Sequence, residues 1–211
     1  VLTLIQHRMQ VMTTCRLESL QMQAPVVPLI KSLLSLNPQS RLLRLLMLEA
    51  EAELASSIAS FNYPGAAKAT YRIHKIRRQQ QLLDRSQRTL ISIANARLQQ
   101  GTISTYEKLN AAFKRIQEKD KGWAQVRFQT LNPKIPKLAF IRKDSSLAPE
   151  YEAKNDFEMS QTATQFWTED YAFKGFWNKA HHRANSQCSS TLEEDTWIQK
   201  IKKDKPSLRW L

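Results

Sequence analysis

The sequence predicts an α+β protein, with long amphipathic helices forming a helical hairpin in the N-terminal half and a small, aromatic-rich, partly β C-terminal domain. Three observations carry this. Residues 66–100 contain no Gly or Pro, and at helical periodicity Ile73, Ile76, Leu83, Leu90, Ile91, Ala94 and Leu98 fall within one arc of about 100°. From Trp123 the texture changes: Val126, Phe128 and, less regularly, Leu131 alternate with polar residues, as in a half-buried strand. Eleven of the 18 aromatic residues lie between Trp123 and Trp177, a density suited to extended segments held together by large side chains. A domain boundary is therefore expected near 122, dividing a helical region, 1–122, from a C-terminal domain, 123–211.

The elements follow in order. Residues 1–23 read as a helix, with Leu2, Ile5, Met9, Met12, Leu17 and Leu20 at loosely helical spacing, until Pro25 and Pro28 break it. Residues 29–36 make a short helix that Asn37-Pro38 ends. Ser40 then caps the next helix, 40–61. Leu42, Leu43, Leu45, Leu46, Met47 and Leu48 surround the first turns of that helix, which predicts their burial. Its later half carries small apolar residues that permit close approach. Asn62-Tyr63-Pro64-Gly65 is a turn signal, so 40–61 should fold back on the helix 66–100, which Gly65 and Gly101 bound. Gln80 and Gln87 interrupt the packing seam formed by Ile73, Ile76, Leu83, Leu90 and Leu98. Thr105 caps a further helix, 106–119, that Gly122 closes. Residues 138–141 form a second candidate strand, and 192–203 a final short helix.

Charge narrows the function. The net charge is +13, and residues 61–143 alone contribute 18 basic against four acidic side chains. Within 66–100 stand eight basic residues and only one acidic residue, Asp84. Arg77, Arg78, Arg85 and Arg88 lie opposite the seam. A mixed-sign face gains from pairs four residues apart, whereas this one repels itself, which points to a polyanion or an acidic protein face as partner. No nucleophile elbow, phosphate-binding loop, dinucleotide fingerprint or zinc-protease motif occurs, so the chain reads as non-enzymatic, with no cofactor and no metal. His181-His182, Cys188 and Glu193-Glu194 match no common zinc spacing and read as a polar loop. Adjacent carboxylates such as Glu169-Asp170 read as solvent-facing. The cluster Trp167, Tyr171, Phe173, Phe176 and Trp177 lies away from the basic zone and reads as core or interface, not as a base-stacking platform. Cys15 and Cys188 permit one long-range disulfide in an oxidising compartment or two free thiols in a reducing one. Val1–Ile5 reads either as the last turn of a membrane span beginning upstream or as an ordinary helix start.

The order of these segments, an apolar N-terminal helix, an extended helical section and a small turn-rich β-containing domain, resembles that of bacterial pilin-like subunits, and most of all the Tad-type pseudopilins (TadE/TadG-like). The resemblance implies a structural or assembly subunit of an envelope or filament machine. Its partners would be other protein subunits, its location the cell envelope or extracellular space, and a membrane anchor would precede Val1. The charge supports an alternative, a cytoplasmic nucleic-acid-binding or ribonucleoprotein subunit contacting the phosphate backbone without sequence preference.

Overall fold

The computed structural model describes residues 2–119, 124–130, 135–138, 147–151, 163–173, 181–192 and 199–202. The fold is α+β: among the described residues four helices, α1 (Leu2–Gln23), α2 (Val27–Ser35), α3 (Asn37–Ala59) and α4 (Tyr63–Lys119), precede four strands. The strands β1 (Ala124–Thr130), β2 (Ala163–Phe173), β3 (His181–Leu192) and β4 (Gln199–Lys202) form one antiparallel sheet in sequence order. The chain gathers into two compact units that do not follow a division at 122. One holds 2–27, 95–119, 135–138 and the sheet; the other holds 28–94 and 147–151. The first helix belongs with the strands because a disulfide and a shared core bind it there.

In the sheet unit, Val11 and Cys15 of α1 meet Leu109, Phe113 and Ile116 of α4, Trp167 of β2 and Cys188 of β3 in one buried cluster. Phe113 stacks on Phe128 at 4.5 Å between ring centroids, and Phe128 meets Tyr171 edge-on at 6.2 Å. The inward face of β2 carries Gln165, Trp167, Glu169 and Tyr171 at the two-residue period of a strand. Trp167 and Tyr171 are thus core residues. Glu169 corrects the expectation of a solvent-facing pair: it is buried, and Oε1 accepts a hydrogen bond from the Trp167 indole N–H at 2.8 Å. Strand alternation separates it from Asp170, which stands on the other face opposite Arg127 and Arg183. Cys15 and Cys188 are joined, with 6.3 Å between their Cα atoms. Gln23 of α1 adds a buried polar tie, donating to the Ser190 hydroxyl at 3.0 Å.

Two glycines expected to bound a helix sit inside one. α4 runs unbroken for 57 residues, through Gly101 and through Thr105, which caps nothing. The reason is packing. A Cβ at Gly101 would stand 2.4 Å from Cγ of Met22, so glycine admits α1 close to α4. Thr102 and Thr105 hold their hydroxyls on the carbonyls four residues back, those of Leu98 and Gly101, at 2.7 and 2.8 Å. Gly65 lies in the first turn, its N–H donating to Oδ1 of Asn62 at 3.0 Å, so Asn62 is the cap. Pro38, likewise, opens α3 instead of ending α2, in keeping with its place at the first positions of a helix.

The described residues of the expected C-terminal helix, 192–203, are strand; 193–198 and 203 lie outside the described residues. Leu192 ends β3, and β4 pairs with it from Ser189↔Lys202 to Leu192↔Gln199. An open strand edge offers this stretch a ladder that its helix propensity does not outweigh. Of the second candidate strand only Leu138 is described; 139–141, Leu131, Gly122, and Phe176 and Trp177 of the aromatic cluster lie outside the described residues.

Candidate interaction site on the helical hairpin

The second unit is the expected hairpin. The turn between α3 and α4 is made by Phe61 at φ 54° and by the Asn62 N–H, which bonds the Ser57 carbonyl at 2.8 Å. Leu43 and Ala50 of α3 pack with Ile73, Ile76 and Leu83 of α4 around Ala148. Arg72 ties the two helices by ion pairs to Glu53 and, at 3.8 Å, to Glu49. Of the predicted seam, Ile73, Ile76 and Leu83 are buried here and Leu98 in the sheet unit, while Leu90 is half-buried.

One face of α3 departs from expectation. Leu42, Leu45 and Leu48 are exposed, at 55%, 59% and 63%. An all-round apolar helix cannot bury every side against a single neighbour, and α3 buries the side that carries Leu43, Ala50 and Ser57.

Gln80 and Gln87 do not interrupt the seam; both are buried within it. What they face was not legible. Residues 147–151 form a short irregular strap on the hairpin, with Ala148 at φ 55°. Gln87 Nε2 donates to the Pro149 carbonyl at 2.8 Å. The Ser40 hydroxyl donates to the Ala148 carbonyl, so Ser40 lies inside α3 as a strap contact and not as its cap. Asn37 reads both backbone groups of Tyr151: Oδ1 accepts its N–H at 2.9 Å, and Nδ2 donates to its carbonyl at 2.5 Å. Arg41 and Arg44 take the two carboxylate oxygens of Glu150, at 2.5 and 3.5 Å. The Glu150 hydrogen bond, then its charge, raises the pKa of Arg41. The same device recurs in the sheet unit, where Asn95 bonds the N–H and the carbonyl of Leu138 at 2.8 and 3.2 Å.

The four arginines separate into two kinds. All are exposed. Arg88 gives its Nε–H to Oδ2 of the buried Asp84 at 2.8 Å, and that hydrogen bond, then the carboxylate charge, raises its pKa. Its side chain nevertheless stays half-exposed, at 51%. Arg77, Arg78 and Arg85 make no ion pair with any described residue, and together they form the uncompensated cationic face of α4.

Among the described residues no group of His, Cys, Asp and Glu could hold a metal ion, and no helix is long and apolar enough to cross a membrane. No protein family, curated protein or solved structure matches the chain.

Proposed function

We propose that this chain is a non-enzymatic assembly subunit of a bacterial envelope or filament machine of the pilin-like kind, working in an oxidising compartment. The observation that carries the reading is the buried Cys15–Cys188 bond, which ties the first helix to the sheet. Such bonds persist outside the reducing cytosol. Arg77, Arg78 and Arg85 supply a contact for an acidic face of a neighbouring subunit, because guanidinium groups on a rigid helix suit bidentate pairing with carboxylates. Trapping the thiols by alkylation directly in cells, with mass spectrometry of the product, tests the reading. Full oxidation at residues 15 and 188, in an envelope or extracellular fraction, is expected; alkylated thiols on a cytoplasmic protein overturn it.

The uncompensated arginine face favours a second reading, phosphate-backbone binding. There, Arg77, Arg78 and Arg85 changed together to Gln would cut nucleic-acid affinity and lower the log–log salt slope by about 0.7–0.9 per lost contact. A protein partner gives binding that DNA and RNA do not compete away.

A further inference from the structure

The strap is held as a bound peptide is held. Its backbone is read at three residues: Ala148 by Ser40, Pro149 by Gln87 and Tyr151 by both ends of the Asn37 amide. Its one charged side chain, Glu150, is anchored by two arginines from consecutive turns of α3. Ala148 and Tyr151 are each 1% exposed, so the groove also has seats for one small and one large side chain. Ser40 and Gln87 are themselves fully buried, and their donors are aimed at the strap. Polar groups at such depth are placed for a partner, since an unmade hydrogen bond there is costly. We propose that the α3–α4 groove is a recognition site for an Ala-Pro-Glu-Tyr segment, and that copies of this chain supply the segment to one another, linking subunits by exchange of residues 147–151.

The exchange follows from connectivity. Every contact made within one chain is made equally well by the same segment of a second copy, so the two arrangements differ only in chain linkage and concentration. The strap lies between Leu138 and the start of β2 at Ala163. The eight intervening residues on one side and eleven on the other span at most about 28 Å and about 39 Å. Each copy gives a strap and accepts one. Exchanged reciprocally between two copies, the strap closes a two-fold dimer; passed on head to tail, it links subunits into a ring or an open chain. The proposal uses none of Arg77, Arg78 and Arg85, so its failure is read separately from that of the assembly reading.

Two measurements test it. First, in the full chain carrying Glu150→Ala and Tyr151→Ala the strap keeps its backbone contacts but loses its two anchoring side chains, so a fluorescent peptide with the sequence of residues 146–152 should displace it and bind saturably. Adding Asn37→Ala should weaken that binding at least tenfold, and the unaltered protein should bind less because its own strap competes. A variant with the helical circular dichroism of the unaltered protein that does not take the peptide overturns the site. Second, because weakening the strap can unfold the chain, an Arg41→Cys, Glu150→Cys protein keeps the strap and places two thiols at an exposed contact. Copies labelled with light and heavy nitrogen are mixed, unfolded and refolded together, and joined with a short bismaleimide. Linked 41–150 peptides of mixed isotope, rising with protein concentration, are expected. Links confined to one isotope at every concentration overturn the exchange.

Discussion

At Gly101 the absence of a side chain does two opposed things. Glycine inside a helix costs about 1 kcal/mol relative to alanine. Yet a Cβ there would meet Met22 at 2.4 Å for Cγ and 3.1 Å for Cβ, so the residue sets how near α1 comes to α4. Overpacking typically costs about 1–3 kcal/mol, which exceeds the gain in propensity. Gly101→Val should therefore lower the melting temperature, by up to roughly 10 °C once the propensity gain is subtracted, taking about 2–4 °C per kcal/mol for a chain of this size. A Tm equal to or above that of the unaltered protein would show that Met22 swings away without cost. The arginines differ in the same residue-by-residue way. Arg88→Gln removes the guanidinium bonded to buried Asp84 and should lower Tm, whereas Arg85→Gln, with no described ion pair, should leave it unchanged in the same thermal scan.

The helical elements were legible where the pattern is local and strong. The periodic run from Ile73 to Leu98 is helix, and the turn signal at 62–65 does reverse the chain into a hairpin. What could not be read were decisions made by distant residues. Gly101 reads as a stop until Met22, far away in sequence, is seen against it. Gln87 reads as a flaw in the seam until Pro149 appears as its acceptor. The stretch ending at Lys202 reads as helix until the edge of β3 is available. The leucines of α3 mislead for a related reason, since hydropathy alone does not say which face of a helix finds a neighbour. Leu45 and Leu48 are exposed, so changing both to Glu should move the monomer's stability by no more than about 0.5 kcal/mol each. Leu43→Glu, on the buried side, should unfold the hairpin, and chemical denaturation of the three proteins separates the cases. Changing Arg77, Arg78 and Arg85 to Gln should likewise leave circular dichroism at 222 nm unaltered, because Gln and Arg have similar helix propensities and these side chains make no described ion pair.

At the scale of the whole chain, charge and texture told the halves apart but not how they are joined. The sheet unit draws on 2–27, 95–119 and the strands, so its core rests on contacts across most of the sequence, beyond the reach of periodicity. The candidate site shows the same limit: the arginines stand out in sequence, while the groove formed by Asn37, Ser40 and Gln87 is invisible without the strap. The disulfide is the extreme instance, joining residues 173 apart. Closing so long a loop removes conformational freedom from the unfolded chain worth about 5 kcal/mol on the chain-entropy account. Both cysteines lie in the sheet unit, among the side chains of its core. Reduction should therefore act first on that unit. Under a reducing agent, or in a Cys15→Ser, Cys188→Ser variant, amide hydrogen exchange should accelerate in α1, in α4 beyond Asn95 and in the strands. The hairpin, 28–94, keeps its own core around Leu43, Ala50, Ile76 and Leu83 and its Arg72 ion pairs, and its exchange should stay slow. Faster exchange in both units to the same extent would show instead that the chain unfolds as one cooperative body, with α4 carrying the loss across Ala94.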